Sequence, residues 1–148
     1  MPEAPAPAGT LLGFDYGRRR IGVAVGQTLT GTATALVTIA HAAEPDWQAL
    51  DRLVREWRPA ALVLGLPLDG EGNETEMSRE ARAFGAVMAE RYGLPVRYQD
   101  ERLSSVAAGE QFVQARSEGR ARRRDAKSLD ARAAQIILEN WLQSQPGA

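Results

Sequence analysis

The sequence predicts an α/β fold in which a mixed five-stranded sheet carries helices on both of its faces. Three short segments rich in Val, Ile and Thr come first, and their connections are short enough for hairpins. From residue 46 the apolar residues instead recur every three or four positions, and helical segments then alternate with strands. Three antiparallel strands followed by parallel βαβ units account for this order.

The first three segments predict an antiparallel meander. The apolar run from Leu11 to Asp15 indicates a buried strand, and Tyr16-Gly17 and three arginines follow it as a turn. In the second strand, Ile21 to Gly26, bulky and small residues alternate, so one face is almost bare. We therefore expect another element to pack very close to that face. Thr32 to Ala40 is the third predicted strand.

The rest of the chain is predicted to alternate between helices and strands. Asp46 precedes an amphipathic helix that Pro59 stops, and Ala61 to Leu66 is a compact fourth strand. Four further segments are expected: a helix from Met77 to near Gly93, a strand over Leu94 to Gln99, a helix over Leu103 to Ala115, and a last helix from near Ser128 to Gln143.

A chain of 148 residues predicts one domain with a substantial core. We expect a disordered Pro/Ala-rich leader over residues 1–10, a single domain over residues 11–143 and a short tail over residues 144–148. The leader lacks the features of a signal peptide, and no run approaches the roughly 18 apolar residues of a membrane helix. A soluble, cytoplasmic protein is the expectation.

The composition restricts the chemistry to carboxylates. The chain has 18 basic and 19 acidic side chains, one His and no Cys. The absence of Cys excludes disulfides, thiolate zinc sites and cysteine nucleophiles. His41 follows the third strand without an evident partner, and we predict a surface residue there. All basic residues but Lys127 are Arg, which a codon bias explains, so the Arg content by itself does not indicate nucleic-acid binding.

Three acids stand where a predicted buried element begins or ends, a costly place for a charge without a partner. Asp15 closes the first strand, and Glu101 closes the fifth. Asp130 is predicted in the first turn of the last helix, on an apolar line with Ala134 and Leu138.

Each acid also has a local alternative role. Asp15 could form an Asx-turn, and Asp130 could stabilise a helix N-terminus behind an Ser128 N-cap. Glu101 could pair with Arg97 or Arg102 at the surface. Taken singly, none of the three predicts a site.

Together the three acids predict a metal site at one rim of the sheet. Clustered carboxylates raise one another's pKa unless a cation neutralises them. Oxygen ligands without His or Cys select Mg²⁺ or Mn²⁺. Two such ions about 3.5–4 Å apart can hold a phosphodiester and lower the pKa of an attacking water.

Four motifs in order resemble one known family. They are Asp15-Tyr16-Gly17-Arg18-Arg19-Arg20-Ile21-Gly22-Val23-Ala24, Gly65-Leu66-Pro67 with Asp69-Gly70, Asp100-Glu101-Arg102-Leu103-Ser104-Ser105, and Lys127-Ser128-Leu129-Asp130-Ala131-Arg132-Ala133-Ala134. This set resembles the YqgF/RuvX family of the RNase H-like superfamily. The family is described as Holliday junction resolvases or as nucleases that process the 5′ end of precursor 16S rRNA.

The resemblance implies a Mg²⁺- or Mn²⁺-dependent endonuclease. It implies that Asp15, Glu101 and Asp130 are the catalytic, metal-binding triad, with Asp100 and Arg102 beside it. In one departure, the second strand runs on into Ser-Asp in the family, whereas Gly26-Gln27-Thr28 stands here. Because the three acids are kept, we expect an active enzyme.

Basic residues flank the predicted acidic rim. The stretch from Arg116 to Lys127 carries six basic and two acidic side chains, and three arginines follow Asp15. A solvated charge run is the alternative, but the placement beside the acids favours contacts with a nucleic-acid backbone. The residues expected to bind nucleic acid are Arg18, Arg19, Arg20, Arg102, Arg122, Arg123, Arg124 and Lys127.

Two other functions fit parts of this pattern. A non-catalytic nucleic-acid-binding module would use the arginines alone. An actin-like phosphate-binding domain also has a strand ending in Asp-x-Gly, but it needs a second such domain and a longer chain. The expected partner is a four-way DNA junction or precursor rRNA, and not a membrane. Symmetric cleavage of a junction needs two active sites, which would require a homodimer.

Overall fold

A computed structural model of the chain describes residues 8–101 and 123–145, and within the second range it describes side chains from Leu129 onward. Its elements are β1 (Thr10–Tyr16), β2 (Arg20–Gln27), β3 (Thr32–Ala40), α1 (Trp47–Trp57), β4 (Ala61–Leu66), α2 (Glu76–Tyr92), β5 (Val96–Asp100) and α3 (Arg123–Ser144). The helix predicted over Leu103 to Ala115, most of the predicted leader and the last three residues of the predicted tail lie outside the described residues.

The sheet has the predicted mixed architecture. Its strand order is β3-β2-β1-β4-β5, with β1 at the centre. β1 pairs antiparallel with β2, which pairs antiparallel with β3, whereas β4 runs parallel to both β1 and β5. The carboxyl ends of β1, β4 and β5 therefore lie at one edge of the sheet, which we call the carboxyl rim.

Helices cover both faces of the sheet. On one face, α1 and α2 enclose a core that includes Phe14, Leu64 and Phe84. On the other face, α3 contributes Ala134 and Leu138 to a second core. This arrangement confirms the predicted fold class. No helix in the described ranges is long and apolar enough to cross a bilayer.

Local sequence signals set the ends of α1 and α2. The Asp46 side chain accepts a hydrogen bond from the Ala49 N–H at 3.2 Å and so caps α1. Thr75 and Ser78 form a reciprocal capping box at the start of α2. Gly93 ends α2 in a left-handed conformation, with φ of 64°, which glycine adopts without a steric penalty.

Helix α3 begins earlier than predicted. Its first residue is Arg123 and not a residue near Ser128, so part of the basic stretch is helical. Residues 123–127 contain neither Gly nor Pro, and Arg, Ala and Lys are strong helix formers. Asp130 therefore lies about two turns inside the helix. Its predicted place in the first turn, behind a Ser128 N-cap, is wrong.

The bare face of the β1–β2 hairpin receives α3. A Cβ atom at Gly13 would lie 2.8 Å from the Leu138 Cβ, and one at Gly22 would overlap the backbone carbonyl of Asp130. The helix backbone can approach this closely only because these strand positions carry no side chain. The prediction that another element packs against this face is confirmed.

We expect Gly22→Ala to lower the free energy of unfolding by at least about 2 kcal/mol, because the new methyl group meets backbone rather than a movable side chain. Urea denaturation would measure this loss. Gly70→Ala is the matched control, because a Cβ there meets no atom within 4 Å. It should stay within about 0.5 kcal/mol of the wild type. Equal stabilities for the two variants would contradict this packing.

Candidate active site

The parallel strands bring Asp15 and Glu101 to the carboxyl rim. Asp15 is the penultimate residue of β1, and Glu101 directly follows β5. The Glu101 N–H donates to the Leu66 carbonyl at 2.9 Å, which ties this residue to the end of β4. β4 lies between the other two strands, so the side chains must meet across it.

Gly65 opens the path between the two acids. The Glu101 Cγ lies only 2.8 Å from the position that a Cβ on residue 65 would occupy. Any larger residue in β4 at this point would displace the glutamate side chain or the helix residue Ile137 packed beside it. Sequence reasoning assigned no role to Gly65, although a glycine within a buried apolar strand is a signal of close approach.

The carboxyl groups of Asp15 and Glu101 lie against each other beside Gly65, and each perturbs the ionisation of the other. Glu101 is only 7% exposed, so its alternative role in a surface ion pair is wrong.

Burial shifts the acidity of this pair. The pKa of Asp15 is raised well above its ordinary range, first by burial, then by its interaction with Glu101 and by the charge of Asp130. Burial also raises the pKa of Glu101; the interaction with Asp15 lowers this pKa in part, and the charge of Asp100 raises it. Asp15 therefore keeps its proton to a higher pH than an exposed carboxyl does.

Asp130 reaches the same rim from α3. Its backbone carbonyl lies over Gly22, and Gly22 is the β2 partner of Asp15. Its side chain accepts a hydrogen bond from Arg20 Nε at 2.6 Å and is 27% exposed. Ala134 and Leu138, one and two turns later, are fully buried, which confirms the predicted apolar line.

The donor chemistry fits a hard divalent cation. Asp15 and Glu101 offer converging carboxylate oxygens, and such ligands suit Mg²⁺ or Mn²⁺. Asp130 lies nearby but is bound to Arg20. As the side chains stand, no group of three or more His, Cys, Asp or Glu within residues 8–101 and 129–145 could hold a metal ion.

Two of the three arginines that follow β1 are already held in ion pairs within the fold. Arg18 contacts both carboxylate oxygens of Glu80, with the shorter contact at 2.5 Å, and Arg20 contacts Asp130. Arg19 is exposed and forms no ion pair with the described residues. Of the other predicted nucleic-acid contacts, the side chains of Arg102, Arg122, Arg123, Arg124 and Lys127 lie outside the described part of the chain.

His41 has partners that sequence reasoning missed. Its Nδ1 lies 2.7 Å from the Gly17 carbonyl, and its ring packs edge-on against Tyr16 with centroids 5.3 Å apart. The prediction of an isolated surface residue is therefore wrong, because the end of β3 lies next to the turn after β1. His41 stabilises the turn that precedes the three arginines.

The departure from the family motif lies far from the acids. Gln27 pairs with Thr10 at the start of β1, whereas Asp15 pairs with Gly22. These two pairs are five residues apart along the strand, or about 17 Å at 3.4 Å per residue. Gly26-Gln27-Thr28 therefore does not contribute to the carboxyl rim.

Solved resolvases share this fold. The chain of Thermus thermophilus RuvC in complex with a Holliday junction substrate aligns with a TM-score of 0.55 and 21% identity, over 94% of this chain and 96% of that one. The yeast mitochondrial Holliday junction resolvase Ydc2 aligns with a TM-score of 0.54 and 12% identity, over 95% of this chain and 80% of its own. The predicted RNase H-like fold is confirmed.

Sequence comparison gives nearer relatives. A protein of Xanthomonas euvesicatoria named "Putative pre-16S rRNA nuclease" is 53% identical over 96% of this chain and 94% of its own length. A protein of the same name from Xanthomonas axonopodis is 52% identical with the same coverage. The model of a family described as "RuvX: Holliday junction resolvase" matches residues 9–144. This chain therefore belongs to the RuvX family.

Proposed function

We propose that the chain is a metal-dependent endonuclease that cleaves phosphodiester bonds in structured nucleic acid. The observation that carries this proposal is the meeting of the Asp15 and Glu101 carboxyl groups beside Gly65, with Asp130 at the same carboxyl rim. A fold rarely buries carboxyl groups against each other unless they have a function, because their repulsion and desolvation lower its stability.

The proposed roles follow from the placement of each acid. When bound, Mg²⁺ or Mn²⁺ supplies a water of lowered pKa and neutralises charge on the phosphate. Asp15 and Glu101 would bind the cation in their ionised forms. Asp130 would bind the cation from α3, on the β2 side of Asp15, whereas Glu101 lies on the β4 side. The close packing of all three elements keeps these oxygens in place without a change of backbone.

The substrate class is proposed from the relatives. The family description names Holliday junctions, and the Xanthomonas relatives are named for pre-16S rRNA. Metal chemistry and backbone contacts serve DNA and RNA alike, so we propose a four-way DNA junction or precursor 16S rRNA as the substrate, in the cytoplasm. Two active sites, and hence a homodimer, would be needed for symmetric cleavage of a junction.

Neutral isosteres at the three acids should abolish cleavage while binding survives. We expect Asp15→Asn, Glu101→Gln and Asp130→Asn each to lower the cleavage rate at least about 100-fold, since each would remove a metal ligand. The measurement compares a four-way DNA junction with a 16S precursor, with Mg²⁺ or Mn²⁺. Cleavage that persists in all three variants would instead favour the non-catalytic binding module.

Stability without metal should fall as the pH rises. Between the ordinary aspartate pKa near 4 and the raised pKa of Asp15, the folded chain holds a proton that the unfolded chain has released. The folded state thus binds more protons, and its stability decreases with pH. Asp15→Asn should reduce this slope, and the raised pKa of Glu101 accounts for the part that remains. Mg²⁺ should stabilise the wild type by about 1–3 kcal/mol at pH 8, and by less at pH 5, because protons compete for the same oxygens.

Urea denaturation across this pH range, with EDTA or with Mg²⁺, measures both effects. Asp51→Asn is the control, because Arg91 holds the pKa of Asp51 at about 2 and gives it the opposite pH dependence. The ion pair of Asp51 with Arg91 contributes fully to folding stability above the ordinary aspartate pKa, and this contribution is lost as the pH falls toward 2. A wild-type stability that rises with pH, or that ignores Mg²⁺ at pH 8, would contradict the proposal.

The basic stretch should supply binding rather than catalysis. Replacing Arg122, Arg123 and Arg124 by Gln should weaken nucleic-acid binding and flatten its salt dependence, because fewer counterions are released. The matched control replaces Arg52, Arg55 and Arg58, which are exposed at or just after α1 on the other face of the sheet. Filter binding at several salt concentrations measures both sets. An equal effect of the two sets would exclude a specific role for the basic stretch.

A further inference from the structure

The ion pair between Arg20 and Asp130 joins two parts of the carboxyl rim that the sequence separates by 110 residues. Arg20 Nε lies 2.6 Å from Asp130 Oδ2, and the two side chains are 37% and 27% exposed. Arg20 is the first residue of β2, beside the turn that follows Asp15, and α3 holds Asp130 against the same strand. Both partners thus belong to the framework of the site.

This pair competes with the proposed role of Asp130. A cation bound to Asp130 would lie close to the Arg20 guanidinium, and because the two positive charges repel each other, the cation and Arg20 compete for this carboxylate. With Asp130 bound to Arg20, no three acids within residues 8–101 and 129–145 are arranged to hold a metal ion. Asp15 and Glu101 converge without help from Arg20, since they meet across Gly65.

Arg20 offsets the charge of Asp130 at a rim that carries two further acids, Asp15 and Glu101. At Asp130, a guanidinium of the fold thus takes the place of an external cation.

We propose that Arg20 is an internal counter-ion of Asp130 that competes with the metal for this carboxylate. This inference rests on the proposed metal dependence and adds a positioning residue to it. Arg20 acts through Asp130, so its effect is on metal affinity. The inference gives this arginine a role other than the direct nucleic-acid contact predicted from sequence.

Calorimetric titration of the full chain with Mn²⁺ as the only ligand tests whether Arg20 acts as this counter-ion. Because Arg20→Gln removes the competitor, we expect it to tighten Mn²⁺ binding by about threefold to fivefold, the upper part of the range for a partly exposed ion pair. Arg19→Gln is the matched control, since it removes the same charge from the same turn but breaks no ion pair among the described residues. It measures the effect of net charge, which should be about twofold or less.

A double-mutant cycle isolates the route through Asp130. In the Asp130→Asn background, Arg20→Gln should change Mn²⁺ affinity no more than Arg19→Gln does, because the competing pair is already absent. Thermal unfolding of each variant without metal verifies that it is folded. Should Arg20→Gln fail to fold, Arg20→Lys replaces it, since the shorter reach of a single ammonium weakens the pair while keeping the charge.

The possible results separate the two proposals. If Arg20→Gln binds Mn²⁺ as the Arg19 control does, or more weakly than the wild type, the counter-ion role is overturned while the proposed function stands. If the wild type binds no Mn²⁺, the metal-dependent function fails, and the counter-ion role fails with it. Tighter binding that depends on Asp130 supports both.

Discussion

The approach of α3 to the bare face of the β1–β2 hairpin is the contact on which the rest of the structure depends. Because Gly13 and Gly22 carry no side chain, the helix backbone lies directly on the strands. This contact sets the height of Asp130 above Asp15 and buries Leu138 in the second core. A helix held farther away by side chains would leave the third acid beyond the reach of the carboxyl rim.

A second glycine contact completes the same design on the other side of β1. Gly65 lets the Glu101 side chain cross β4, so an acid that follows β5 meets an acid on β1. The backbone thus provides space for a cluster of like charges, and Arg20 offsets the charge of one member, Asp130. Such a site lowers folding stability in return for oxygens that are already positioned.

The near-neutral net charge of the chain conceals this organisation. Acidic and basic side chains number 19 and 18, yet three acids meet at one rim and Arg18, Arg19 and Arg20 border it. Two of these arginines are already paired with acids in the fold. The carboxylates of the site repel phosphate, so a nucleic acid must be attracted by positive charge outside these two pairs, such as the basic stretch from Arg116 to Lys127.

The sequence by itself determined the order of the elements, the mixed sheet and the identity of the three acids, because periodicity and strand ends are local properties of the chain. It misplaced the start of α3, since nothing local stops a helix between Arg123 and Ser128. Only the tertiary structure decided which groups pair. The contacts of Arg20 with Asp130, of Glu101 with Gly65 and of His41 with the β1 turn depend on strand order and on how closely α3 packs on the sheet. A local pattern such as the glycine in β4 can indicate a close approach, but it does not identify the partner.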